Sequence, residues 1–379
     1  MHRRALFSVY VPAFFMGIPS YAIFLILPLH VLEKGGDPSL AAAAIGLKGL
    51  GMMSFDIPAG KFVDRYGNVT LMRVSTLFLA FLCVGYALTS SVLCLVGLAF
   101  FHGWCASSFL VGRMYYLTEN FTFSERGRVI AIIAGNLRLT ALIGPLLGGA
   151  LGEWLGYENT FILLSLFIFL SFFCLKFFTE ELNQEKELYC APKLICIYKK
   201  HKLIFKTLGL VAVLFMFMRA ARIVLLPLFG NYLGLSPSEI GIVISVSSLV
   251  DVLLFYPAGM LMDKYGRHVT SIPSVILFSL GLLALSLTST YFELMICGIL
   301  LGFANGLSTG IVMTLGTDKA PKEHRGAFLG VWRLLTDSGS TFSPLAISYL
   351  LLIFSLPLSS FIIGILCGLG SLSIFRHVK

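Results

Sequence analysis

Six ionisable side chains stand deep inside long apolar runs: Arg138, Arg219, Arg222, Asp251, Arg333 and Asp337. Asp56 and Arg113 lie nearer the ends of theirs. A charge in hydrocarbon is costly without a counter-ion or water. Such residues therefore either bind a charged solute or a coupling proton, or neutralise one another and bias a conformational equilibrium. Arg219 and Arg222 are three apart and share one helix face. If that face lines a cavity, they form a fork suited to a carboxylate, a phosphate or an anionic chelator; in the counter-reading Asp251 or Asp337 neutralises one of them. His102, titratable near neutral pH, is a candidate for proton handling, beside its reading as a hydrogen-bonded structural residue. The chain has no GxxxxGK(S/T) segment, so nothing supports ATP-driven chemistry.

The elements that position these groups are membrane helices. A hydrophobic fraction of 57% with only 12% charged residues is not a soluble composition. Apolar stretches of at least about 18 residues recur along the chain. They predict twelve spans: 6–32, 41–62, 70–89, 91–117, 127–153, 159–178, 204–232, 238–262, 269–289, 292–316, 325–350 and 353–375. The expected fold class is an all-α membrane protein, with a bundle over 1–178, a cytoplasmic linker over 179–203 and a second bundle over 204–379. The linker is the one long hydrophilic segment and carries Glu180, Glu181, Glu185, Lys186, Glu187, Lys193, Lys199 and Lys200.

Basic residues set the orientation. Arg3, Arg4, Lys61, Arg65, Arg73, Arg126, Arg128, Lys264, Arg267, Lys319, Lys322, Arg325, Arg376 and Lys379 fall on one side, with both termini. That side is expected to be the cytoplasm, and the bias accounts for the net charge of +9 without any nucleic-acid partner. The first apolar run is too long for a cleaved signal and reads as a retained helix. The eight cysteines are scattered, so neither a metal site nor a disulfide framework is expected. No cofactor is expected, and the lipid bilayer is the surrounding medium.

The two bundles are copies of one unit. Gly60-Lys61-Phe62-Val63-Asp64-Arg65-Tyr66-Gly67 recurs as Gly259-Met260-Leu261-Met262-Asp263-Lys264-Tyr265-Gly266. At the same spacing Pro28 falls on Pro227, Pro38 on Pro237, Gly103 on Gly302, Arg126 on Arg325, Arg138 on Asp337 and Pro145 on Pro344. Duplicated halves of this kind are a mark of transporters. Gly60 and Gly259 allow tight approach near a helix end, and Gly67 and Gly266 a turn that other residues resist. Asp64 and Asp263 can accept backbone N–H groups at a helix N-terminus.

This repeated element resembles the GxxxD-(R/K)-x-G-(R/K) loop of the major facilitator superfamily. The resemblance covers essentially the whole chain and implies its fold: two six-helix pseudo-symmetric bundles with alternating access to a cavity between them. It also implies that the signature latches the cytoplasmic side when the protein is open outward. The late basic residue of the signature would pair with an acidic residue ending helix four or ten. Arg267 and Asp318 fit that role, while in the first half Asn68 stands opposite Glu119. There the latch is weaker or draws on Arg65, Arg73 or Arg113, and Lys264 is the counterpart of Arg65.

Gly144-Pro145-Leu146-Leu147-Gly148-Gly149 resembles the GPxxGG bend of antiporters and drug exporters, with Thr140 where a further glycine is usual. The helix-four RxxQG stretch of such exporters is replaced by Ala99-Phe100-Phe101-His102-Gly103, which weighs against ordinary drug/proton antiport. By the family architecture Arg138–Asp251 and Asp56–Arg333 are candidate pairs between halves. Helices one, four, seven and ten would line the cavity with Tyr21, Phe24, His102, Trp104, Ser107, Ser108, Arg219, Arg222, Asn305 and Ser308. The reading is thus a non-enzymatic secondary active transporter in the cytoplasmic membrane, most simply a monomer. Its first assignment is proton-coupled efflux of a drug-like compound or metabolite. Uptake or exchange of a small organic anion is the alternative, and a non-transporting receptor or scaffold is a third.

Overall fold

The computed structural model describes residues 6–179, 194–321 and 323–377. Most of the charged linker, from Glu180 to Lys193, lies outside them, as do Arg3, Arg4, Lys322 and Lys379. The first six spans are α1 (Val11–Glu33), α2 (Pro38–Tyr66), α3 (Asn68–Leu88), α4 (Val92–Asn120) and one long run, Phe123–Phe178. That run turns at Gly156, whose φ of 78° favours glycine, and so comprises α5 (123–155) and α6 (157–178). A short helix, Leu194–Lys200, precedes α7 (Leu210–Tyr232), α8 (Pro237–Tyr265) and α9 (His268–Leu285). The tenth span is split into α10a (Tyr291–Leu307) and α10b (Ile311–Lys319), followed by α11 (Arg325–Leu351) and α12 (Leu356–His377).

Among the described residues, nine helices are long and apolar enough to cross a membrane. One of these is the α5–α6 run, and α11 and α12 complete twelve spans. The chain divides into two compact units, Met1–Glu185 with Gly234–Ser245, and Lys186–Leu233 with Val246–Lys379. The start of α8 therefore packs with the first unit.

Short polar caps define where the spans begin. Asp37 accepts from the Leu40 backbone N–H at 2.7 Å with Pro38 in the first turn of α2. Ser236 and Glu239 exchange hydrogen bonds at the start of α8, and Thr290 and Glu293 do so at α10a. The Gly35 and Gly234 turns before α2 and α8 both have positive φ, 86° and 71°. Across the α1 and α6 ends, Lys34 donates to Glu158, a bond that holds the Lys34 ammonium above the usual lysine range. A raised lysine keeps its contribution at lower pH and loses it only on the alkaline side, so this tether persists through neutrality.

Inside each unit the helices cross on glycine. A Cβ at Gly51 in α2 would collide with the Phe100 carbonyl oxygen of α4, and one at Gly103 with the Lys48 carbonyl oxygen of α2. In the second unit a Cβ at Gly302 would meet the Ser247 carbonyl oxygen in the same way. Such crossings bring backbones into direct contact, the packing that lipid-embedded helices favour.

Candidate functional site

The signature element is helical almost to its end. The sequence places it in a loop, but α2 runs on to Tyr66 and α8 to Tyr265, and the chain turns only at Gly67 (φ 89°) and Gly266 (φ 92°). Gly60 and Gly259 do not meet the expected close neighbour: a Cβ on either would find nothing within 4 Å. Among the described residues, neither Asp64 nor Asp263 accepts a backbone N–H. Instead Arg267 bridges two carboxylates, Asp263 at 3.2 Å and Asp318 at 3.3 Å. In the first half Asn68 donates to Glu119, so an amide stands in for the guanidinium at the matching position. Arg65 lies over the Tyr66 ring and Lys264 over the Tyr265 ring, the same contact in both copies.

Two deep charges of the second unit, Arg219 and Asp251, reach the break in the tenth span. Gly310 adopts a left-handed backbone (φ 86°) between α10a and α10b. Val111, its counterpart in the first half, lies in unbroken α4, so the fold itself does not impose the break. Arg219 of α7 donates to the Ser308 carbonyl at 2.6 Å and to its hydroxyl at 2.8 Å. Asp251 of α8 accepts from Asn305 at 2.7 Å and from Thr309 at 3.1 Å. Arg222 reaches Ser247 at 3.3 Å. A cation, a carboxylate and unwound backbone thus meet in mid-span, an arrangement that binding sites in discontinuous helices use.

Asp56, Arg333 and Asp337 make contacts inside their own units. Arg333 and Asp337 sit one turn apart on α11 and pair at 3.4 Å. Asp56 of α2 accepts from Ser107 of α4. Arg138 lies half-buried on α5. Arg113 is buried beside the Phe109 ring. His102, Ser107, Ser108 and Ser308, expected to line a cavity, are instead buried. His102 turns to the Tyr86 hydroxyl of α3, 3.4 Å away. A helix buries several faces, and residue type alone does not select the one that looks into open space.

One charge escapes the list of deep groups read from the sequence. Lys48, in the middle of α2, is only 4% exposed and lies over the Phe24 ring, 3.9 Å from its centroid. The signal was present: a lysine interrupting an Ala/Gly/Leu run about ten residues into a span.

The segment resembling GPxxGG divides its contacts between two helices. A Cβ at Gly144 would stand 2.7 Å from Tyr21 of α1, and one at Gly148 3.0 Å from Ala22. On the neighbouring face, Gly149 abuts the Pro237 carbonyl, and a Cβ at Gly241 would lie 2.6 Å from the Pro145 carbonyl. Both contacts fall within the first unit, which includes Gly234–Ser245. Thr140, standing where a glycine is usual, reaches Gly17. We expect Gly149→Val to lower the melting temperature and slow transport, because its obstacle is backbone. Gly135→Val, with nothing within 4 Å, is the control; equal behaviour of the two would refute the packing role.

Two helical units built from one repeat, with half-buried charge at a broken span, define a class of membrane transporter rather than an enzyme. The profile of the Major Facilitator Superfamily matches residues 9–189 and 208–378, and the chain belongs to that family. It is 23% identical to a multi-drug resistance efflux pump PmrA homolog of Lactococcus lactis, over 90% of this chain and 87% of that one. It is 24% identical to the riboflavin transporter RibZ of Clostridioides difficile, over 73% of each. Its fold is like that of a POT family transporter in complex with a thioalcohol conjugated peptide, at a TM-score of 0.80 and 14% identity, covering 98% of this chain and 96% of that one. A D-xylose–proton symporter structure matches at a TM-score of 0.76 and 15% identity, over 99% and 97%.

Proposed function

We propose that this transporter exports a drug-like compound or metabolite across the cytoplasmic membrane in exchange for protons, working as a monomer with both termini in the cytoplasm. The observation that carries the reading is the glycine face of α5, which seats Gly144 and Gly148 on α1 and Pro145 and Gly149 on the start of α8. The efflux-pump name of the PmrA homolog points the same way. The alternative, an organic-anion carrier, draws on Arg219 and Arg222; both already donate to serine oxygens within their own unit, which favours a structural use of these two charges.

A thermal-shift screen of the purified protein against lipophilic cations and small organic anions tests the choice, since a ligand for the folded state raises the melting point by mass action. Stabilisation by cations that depends on Asp251 or Asp337 supports export. Stabilisation by anions that is abolished in Arg219→Ala or Arg222→Ala overturns it. A solute-independent scaffold would show no flux in liposomes with any compound.

The signature acts in this scheme as a conformational latch. Asp64→Asn and Asp263→Asn are expected to reduce turnover more than they reduce ligand binding. An equal loss of both would remove the latch. In the second copy the Arg267 bridge adds a sharper expectation: Arg267→Gln leaves Asp263 and Asp318 without their shared cation, so its turnover defect should exceed that of Asn68→Ala.

A further inference from the structure

We propose that Lys48 is the residue that takes up and releases the coupling proton, in a pocket it forms with His102 and Tyr86 inside the first unit. The proposal rests on the proton coupling proposed above and names its site. Lys48 is buried in mid-span, and among the described residues no carboxylate pairs with it. Its ammonium is held by the face of Phe24 from α1. The titratable groups around it come from every other helix packed on this stretch of α2. From α4 come His102, within electrostatic range of Lys48, and Cys105, within range of Tyr86. From α3 come Cys83, also within range of Lys48, and Tyr86, whose hydroxyl meets the His102 ring. The carboxylate further along α2, Asp56, is taken by Ser107.

The internal duplication supplies the control. The same helix crossing exists in the second unit, with Gly302 against the Ser247 carbonyl as Gly103 is against that of Lys48. There the counterparts of Lys48, Cys83, Tyr86, His102 and Cys105 are Ser247, Leu282, Leu285, Leu301 and Ala304. The last four are fully buried. Four of these five positions thus carry an apolar filling, and the fifth, Ser247, accepts from Arg222. The first unit carries a histidine, a phenol and two thiols where the second has only apolar bulk, and its cation at the crossing is a lysine rather than an arginine. A buried lysine is a recurrent choice where a proton must come and go, and an arginine does not release one.

The chemistry is a single proton transfer. The Lys48 amine takes a proton from water on the side to which the pocket is open and returns it to water on the other. Tyr86 and His102 are a hydroxyl and an imidazole through which that proton can pass. The pocket thus alternates between neutral and +1, whereas a carboxylate would alternate between −1 and neutral. Its loaded state repels a cationic solute, which makes proton and cation alternate rather than travel together.

The test begins without any solute. Purified protein carrying lysine labelled with ¹³C at Cε is titrated by NMR in detergent, and the resonance missing from Lys48→Met is Lys48. It is expected to move with pH over the range in which the other lysines hold the ammonium position. A Lys48 resonance that stays at that position with them overturns the proposal. Should Lys48→Met fail to fold, displacement of the same resonance in Tyr86→Phe or His102→Asn assigns it in its place.

Transport of ethidium in proteoliposomes separates this inference from the reading beneath it. Lys48→Met is expected to lose accumulation driven by a pH gradient and to keep gradient-free exchange. Gradient-driven accumulation unchanged in Lys48→Met sinks the lysine while export stands. A titrating Lys48 in a protein whose wild-type flux ignores the pH gradient sinks proton-coupled export, and with it the coupling role of Lys48.

Discussion

Gly103→Ala is expected to destabilise the protein by at least the cost of an overpacked core, about 1–3 kcal/mol. The added methyl would strike the Lys48 carbonyl oxygen, and backbone cannot rotate aside as a side chain can. Gly51→Ala, aimed at the Phe100 carbonyl from the other side of the same crossing, should behave alike, and Gly302→Ala should reproduce the effect in the second unit. Gly60→Ala and Gly259→Ala are the matched controls. Both glycines face open space, so alanine there brings only its better helix propensity, worth up to about 1 kcal/mol. Melting temperatures of the five variants in one detergent decide the matter. A Gly103→Ala protein that melts with wild type would mean that α2 and α4 do not cross on glycine.

Arg219→Ala is expected to be the most damaging single change at the break in the tenth span. Hydrogen bonds to a charged group contribute about 1.5–3 kcal/mol, and Arg219 makes two to Ser308. The Ser308 hydroxyl keeps its bond to the Asn305 carbonyl, but the Ser308 carbonyl loses its cation in surroundings where water is scarce. Transport should fall sharply together with the melting temperature. Arg219→Lys should recover part of both, since an ammonium can reach one of the two oxygens but lacks the planar fork. Arg222→Ala, losing a longer contact of 3.3 Å to Ser247 away from the break, should be milder. If Arg219→Ala instead melts normally while abolishing stabilisation by anions, Arg219 is a binding residue and the export reading gives way to the anion carrier.

Much of this architecture is written in the chain as spacing. Twelve apolar runs, a repeat without gaps and the GPLLGG bend are visible because each is a periodic or local property. The pairs Asn68–Glu119 and Arg267–Asp318 were legible for the same reason: the repeat aligns one with the other. What stayed hidden depends on which helix face meets which neighbour. Gly51 and Gly103 look like any other glycines until α2 and α4 are crossed, and a Cβ on Gly60, in the most recognisable motif of the chain, would meet nothing. The local contacts of Asp56 and Arg333 stayed hidden as well, because sequence gives no distance. In the structure Asp56 accepts from Ser107, and Arg333 pairs with Asp337. The break at Gly310 gives no warning, since nothing but its backbone angle distinguishes it from the helical glycines around it.

That break changes the electrostatics of the membrane interior. An uninterrupted span ends its row of peptide dipoles at the two surfaces, where water screens them. Here α10a brings its negative end to Ser308, where the Arg219 guanidinium is seated, and α10b begins its positive end at Ile311. Each end is worth roughly half an elementary charge. Peptide groups do not titrate. A share of the charge opposite Arg219 is thus fixed by the backbone itself, and this part of the second unit keeps it at any pH and through every protonation of its carboxylates.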